Sequence, residues 1–215
     1  MESVKVVKNK YFSRNENEWK SFFLKKKEQI EENIEVYLEI KKIVGLDSSK
    51  DLFKQWLFFA FYGMRGNLDK SKKLKFIEHF SKIHDNSIDV VKEIVNEINN
   101  DEDSTSYYSF VTKMLNIQNE DYFPIYDSRV ASVFFEENER HTLGEVDKCY
   151  KRIKELYDSI SDKDASITAF KAVFESAKSL GKMRVLDFIL YNSIELPKRT
   201  RKAKSTTLNT KSREG

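Results

Sequence analysis

The amino-acid sequence predicts an all-α protein of about nine helices followed by a short basic tail. Three observations carry that prediction. Apolar residues recur at helical spacing through almost all of the chain before Pro197. Only 6 Gly and 2 Pro occur among 215 residues, too few to turn the many hairpins of a sandwich or barrel. The apolar share of 40%, with 16 Phe, is enough to fill a real core and sets the chain apart from disordered sequences.

The elements follow in order. Val4 to Val7 allows a short strand. Trp19 to Val44 sets Phe22, Phe23, Ile30, Ile34, Tyr37, Leu38 and Ile43 near one helical face, and Gly45 stops that helix. Asp47, Ser48 or Ser49 can cap the next, Leu52 to Tyr62, which is apolar on nearly every side and therefore central. Gly63-Met64-Arg65-Gly66-Asn67 breaks it. Helices are expected over Leu68 to His84 and over Ser87 to Asn99, with Ser87 as cap, before an acidic loop at Asn100-Asp101-Glu102-Asp103. Ser106 to Gln118 is helical, Asn119 to Tyr126 turns around Pro124, and Asp127 or Ser128 opens a helix towards Asn138. Glu145 to Ile160, Asp164 to Leu180 and Met183 to Leu196 complete a single helical body over residues 1–196.

The net charge of +3 conceals an asymmetry. Pro197 to Gly215 carries seven basic residues and one acidic, which leaves 31 basic against 34 acidic in the body. The tail is thus a cationic, Ser/Thr-rich extension suited to solvent or to nonspecific contact with nucleic acid. A single cysteine, Cys149, excludes an internal disulfide and any four-cysteine metal centre. Met1 to Lys10 lacks the apolar core of a signal peptide, and the run Leu52 to Met64 is too short and interrupted to span a bilayer. These features lead us to expect a soluble cytoplasmic protein with no membrane partner.

Few motifs carry chemistry. His79, His84 and His141 lack the i, i+4 partner of a zinc-binding helix, and no glycine-rich nucleotide loop occurs, so neither metal nor cofactor is expected. Cys149 lies mid-helix without a paired histidine and reads as a small hydrophobe. The informative segment is Ser109 to Val130. At about 100° per residue, Tyr107, Phe110, Val111, Met114, Leu115 and Gln118 form one stripe. Lys113 falls just outside it, flanked by Phe110 and Ile117, where an ammonium is either partly desolvated or snorkels to water. Pro124 forces Phe123 into an extended conformation, and Asp127 arrives where a helix must begin. A carboxylate at a helix N-terminus stays ionised even against a cleft wall.

Ser109-Phe110-x-x-Lys113, followed by Phe123-Pro124-Ile125-Tyr126-Asp127-Ser128, resembles the 8-oxoguanine DNA glycosylase-like proteins, a divergent branch of the helix-hairpin-helix glycosylase superfamily. The resemblance implies a two-lobed all-α fold with the active site between the lobes. It further implies that Lys113 is the Schiff-base nucleophile and Asp127 the catalytic aspartate, acting on double-stranded DNA that carries a modified base. The family's Leu-Pro-Gly-x-Gly hairpin is replaced here by Ser106-Tyr107-Tyr108-Ser109-Phe110-Val111-Thr112, with no glycine. The chemistry is physically coherent: a fixed carboxylate stabilises the cationic sugar, while a neutral amine attacks C1′. At pH 7 only about one free lysine in 2,500 is neutral, so burial must outweigh the pull of Asp127.

An extruded base also needs a pocket. Trp56, Phe59, Tyr62, Phe123 and Tyr126 supply aromatic surface near expected breaks, and Arg65 between two glycines can reach a base edge or a phosphate. Asp187 stands alone in the apolar run Met183 to Tyr191, either paired with Arg184 at i−3 or facing a pocket. The expected substrate-binding set is therefore Tyr62, Arg65, Tyr126, Ser128, Arg129 and Asp187. We expect a monomeric DNA glycosylase, with or without lyase activity. The alternative is a noncatalytic helical module that binds DNA or protein on the same scaffold.

Overall fold

The computed structural model describes residues 2–45, 70–80, 82, 84–99, 107–135 and 141–194. Ten α-helices, one 3-10 helix and no strand occur among the described residues. They are α1 (Val4–Tyr11), α2 (Glu16–Lys25), α3 (Lys27–Gly45), α4 (Lys70–Phe80) and α5 (Val90–Asn99), then α6 (Tyr108–Gln118), α7 (Ser128–Ala131), α8 (Leu143–Asp158), α9 (Ala165–Val173) and α10 (Lys182–Ser193). The 3-10 helix, Glu175–Ser179, joins the last two. The expected all-α class holds. The expected central helix Leu52 to Tyr62, the break at Gly63 to Asn67, the acidic loop and the basic tail all lie outside the described residues.

Four elements differ from the sequence reading. Val4 to Val7 is helical, not a strand, because Ser3 caps α1 and Val7 is buried against α8. The single helix expected from Trp19 to Val44 is two, divided at Lys26 (φ −117°, ψ 14°). Neither Gly nor Pro marks that break, and Phe23 and Ile30 lie seven residues apart, so the apolar stripe stays in phase across it. Packing makes the division: α2 lies along α9, whereas α3 runs across α6 and the 3-10 helix. The Lys26 ammonium fixes the bend by donating to the Asn192 carbonyl at 2.6 Å. The helix expected from Asp127 towards Asn138 is the four-residue α7, followed by turns through Phe134. The segment Asp164 to Leu180 is α9 and a separate 3-10 turn, divided at Phe174, which turns extended and buries its ring.

Aromatic rings fill the interface of α2 and α9. Trp19 stacks on Phe23 at 5.2 Å, and Phe23 meets Phe170 edge-on at 5.1 Å. Such pairs add about 0.5–1.5 kcal/mol beyond the area they bury. Phe170 also meets Phe188, which links this cluster to α10, a helix buried on most of its faces.

The N-terminus of α10 is satisfied by another segment. Gly181 N–H donates to Glu120 Oε1 at 2.8 Å, Lys182 N–H to Asp121 Oδ1 at 2.9 Å and Met183 N–H to the Glu120 carbonyl at 3.0 Å. Three of the orphan donors of a helix start are thereby met by the turn that follows α6. Gly181 allows this approach, since a Cβ there would sit 2.8 Å from the Glu120 carbonyl carbon. The contact sets α6, which carries Lys113, in register with α10, which carries Asp187.

Candidate functional site

The segment Phe123 to Asp127 runs extended between α6 and α7, and buried side chains hold its polar backbone groups in turn. Asn116 Nδ2 donates to the Phe123 carbonyl at 2.6 Å, and the Tyr150 hydroxyl donates to the Pro124 carbonyl at 3.1 Å. Ile125 N–H donates to the Asp187 carboxyl at 3.1 Å, and Tyr126 N–H donates to Thr112 Oγ1 at 3.0 Å. Thr112 and Asn116 project from α6, Tyr150 from α8 and Asp187 from α10. Three helices thus converge on one strap. Buried polar groups require partners, and here each partner fixes a backbone position.

The strap delivers Asp127 to the start of α7. Its carboxylate accepts from Arg129 N–H at 2.9 Å, so Asp127, not Ser128, is the cap. Asp127 shares a cleft of about 470 Å³ with Lys113 and Asp187. Ile125 and Val130 line its floor, Gln29 and Asn33 of α3 line one wall, and Arg184, Phe188, Tyr191 and Asn192 of α10 line another.

Lys113 is half-buried beside the Phe110 ring, 5.4 Å from its centroid. Burial lowers its pKa below that of a free lysine, and the nearby Arg184 charge acts in the same direction, against the pull of Asp127 and Asp187. Desolvation therefore prevails, which is the condition an amine nucleophile needs. Asp187, 4% exposed, also accepts from the Tyr157 hydroxyl at 3.0 Å. Burial pushes its carboxyl up to about 8, with Arg184 and the two hydrogen bonds opposing. Asp127, by contrast, is only partly buried and lines the open cleft.

The other expected site residues divide. Tyr62 and Arg65, with Trp56 and Phe59, lie outside the described residues. Phe123 is buried in the core. Tyr126 does not line the cleft; its ring packs edge-on against Tyr108 at 5.3 Å. Ser128 is exposed and outside the cleft. Arg129 is structural: its guanidinium donates to the Ile194 carbonyl at the end of α10 and stacks on Tyr191 at 4.4 Å. That position neutralises the end of a helix macrodipole. Asp187 does not form the considered ion pair with Arg184, whose guanidinium lies over Tyr37 and Phe188 instead.

The sequence reading placed Asp187 in the site but missed Arg184, Phe188, Tyr191 and Asn192 on the same face of α10. Arg184, Asp187, Phe188, Tyr191 and Asn192 recur at i, i+3, i+4, i+7 and i+8, so a mixed polar and aromatic stripe inside an apolar helix was available as a signal. Gln29 and Asn33, on another helix, carried no such mark.

Elsewhere the histidines have structural partners. His79 Nε2 meets Glu97 at 2.9 Å, His84 Nε2 meets the His79 carbonyl, and His141 stacks on Phe135. Among the described residues, no group of three or more His, Cys, Asp or Glu side chains is placed to hold a metal ion. Cys149 is buried, which pushes its thiol up to about 12. No helix among the described residues is long and apolar enough to cross a membrane.

Comparison of the chain with family models, with curated proteins and with solved structures finds no match. Any functional reading therefore stands on the site's own chemistry.

Proposed function

We propose that the protein is a cytoplasmic DNA base-excision glycosylase that acts as a monomer on double-stranded DNA carrying an oxidised or otherwise modified base. One observation carries this reading: Lys113, Asp127 and Asp187 line a single open cleft, and the Lys113 amine there has its proton affinity lowered by burial. In this reading the neutral Lys113 amine attacks C1′ as the N-glycosidic bond breaks, and the departing base takes the bonding electron pair and the proton that the amine loses. Asp127, fixed by the strap and its cap bond, stabilises the positive charge that develops on the sugar. The covalent adduct then rearranges to a Schiff base, which permits strand cleavage.

The test is borohydride trapping on duplexes containing 8-oxoguanine and a panel of other modified bases. The expected result is a covalent protein–DNA adduct with wild-type protein and none with Lys113→Gln. Absence of both excision and adduct across the panel removes the enzymatic reading.

A second reading, a noncatalytic helical module for DNA or protein, is favoured by one local feature. The turn entering α6 is made by Tyr107 at φ 72°, where the glycosylase hairpin would use glycine. A tyrosine ring at that point obstructs the close backbone approach to phosphate that glycine permits.

A further inference from the structure

A second concave surface lies on α2, outside the cleft. It is an open groove of about 480 Å³ lined by Arg14, Asn17, Glu18, Ser21, Phe22 and Lys25. Arg14 leads into α2, and its guanidinium carbon lies 4.6 Å from the Phe22 ring centroid and 4.9 Å from that of Trp19. The Lys26 ammonium lies 4.7 Å from the same Phe22 centroid, so Arg14, Lys25 and Lys26 gather their charges about one groove. Arg14 and Lys25 are exposed and make no hydrogen bond or ion pair among the described residues. The one carboxylate of the lining, Glu18, is turned to the Asn15 N–H at 2.8 Å in the capping box of α2.

Like charges held together repel, and an anion in the groove relieves that repulsion. A guanidinium steadied by two rings presents its fork to paired oxygens, as a phosphodiester or a carboxylate offers them. Continuity with the cleft favours an extended polyanion over a single anion. Lys26, at the edge of the groove, donates to the Asn192 carbonyl, and both Asn192 and Gln29 line the cleft. Phe22 and Gln29 lie seven residues apart, roughly 10 Å at helical rise. Nucleotides advance about 3.4 Å each along a duplex, which sets the groove about three nucleotides from the cleft. Charge on α3 fixes the direction, since Glu28, Glu32 and Glu35 are exposed there and repel a strand that leaves the cleft along that helix.

The geometry points to the α2 groove as a seat for the phosphodiester backbone of a duplex engaged at the cleft, about three nucleotides to one side of the nucleotide held there. The inference rests on reading the cleft as a site for duplex DNA and adds where that duplex lies. Such a contact supplies affinity and register and carries no base information, because phosphates are alike at every position.

The test is a phosphate-neutralisation scan. Full-length wild-type protein is titrated with duplexes that carry a central tetrahydrofuran abasic site and one neutral methylphosphonate at successive positions. Two sensitive zones are expected, one at the abasic site and one about three nucleotides away on one side only. Arg14→Gln combined with Lys25→Gln should remove the outlying zone, weaken binding about tenfold at physiological salt and lower the slope of log affinity against log salt by about 2. The same loss should appear on undamaged duplex. A scan without an outlying zone overturns the inference, as does a zone that survives in the double variant. An equal loss from Lys92→Gln combined with Lys148→Gln, on α5 and α8, also overturns it, because the effect is then one of net charge. Binding of polyglutamate that depends on Arg14 and Lys25, with no such dependence for duplex, assigns the groove to an acidic peptide instead. Should the double variant fail to fold, Lys25→Gln alone takes its place with half the salt effect, and the wild-type scan needs no variant. An outlying zone without any Lys113 adduct would sink the glycosylase reading alone, and adduct formation without that zone would sink only this one.

Discussion

The α2–α9 interface and the strap from Phe123 to Asp127 are built on opposite principles. The first is hydrocarbon and ring: Trp19, Phe23, Phe170 and Phe174 pack with one another, and the single polar atom of these four side chains, Trp19 Nε1, is buried without a hydrogen-bond partner. The second is polar and buried, with Thr112, Asn116, Tyr150 and Asp187 each assigned to a backbone group. Apolar packing tolerates exchange of shape and supplies bulk stability. A satisfied polar network supplies position, since each bond is directional and leaving one unmade is costly. The cleft belongs to the second region, where the location of one carboxylate matters more than the energy that holds it.

Substitutions can break that contrast, beginning with the largest effect. Asp127→Asn keeps a good N-cap for α7, so melting should change little, while excision falls by about a hundredfold to a thousandfold through loss of the charge opposite the sugar. Paired measurements of melting temperature and single-turnover excision would show the split; a parallel loss of both would make Asp127 purely structural. Phe23→Ala should behave in the reverse manner. Removing a fully buried ring costs about 3–5 kcal/mol of stability, readable by urea unfolding, with excision by the folded fraction largely intact.

Asp187→Asn sharpens the comparison through pH. The folded-state pKa of Asp187, about 8, exceeds its value in an unfolded chain, so the folded state holds the proton more tightly. Its stabilising contribution is complete below the unfolded pKa of about 3.9 and is lost as pH rises through 8. The amide is neutral throughout and can still accept from Ile125 N–H and the Tyr157 hydroxyl. The variant should match wild type at pH 4 and exceed it by a few kcal/mol at pH 9, measured by denaturant titration across that range. Wild type and variant with the same pH slope would mean that Asp187 is ionised throughout. A smaller loss of stability than that of Phe23→Ala is expected from Asn116→Ala, about 1–3 kcal/mol for an unmet Phe123 carbonyl. Because that bond helps to set the strap, excision should fall further than stability alone explains, with the loss in kcat and not in KM.

Much of the fold was legible because helices announce themselves by period and cap. Asp164 opens a helix where the sequence placed one, and the stripe Val111, Met114, Leu115 is buried as its spacing implies. The break at Lys26 was not legible, since it leaves the apolar phase unchanged and arises from two packing partners that pull one stripe in different directions. Within the candidate site, Lys113 and Asp127 were legible as local features: an ammonium at the edge of an apolar stripe and an acid after an extended Pro124 segment. The contact of Arg129 was not legible because its partner, the Ile194 carbonyl, lies 65 residues away.

The sequence by itself determined that the chain is helical, where several of its helices lie, and which residue types could do chemistry. These follow from interactions within a few positions of one another, where periodicity and capping are written directly. Only the tertiary structure decided that Lys113, Asp127, Asp187 and Arg184 line one cleft, and that burial lowers the pKa of Lys113 and raises that of Asp187. Those outcomes depend on which distant groups approach and how much water is excluded, and no local pattern encodes either.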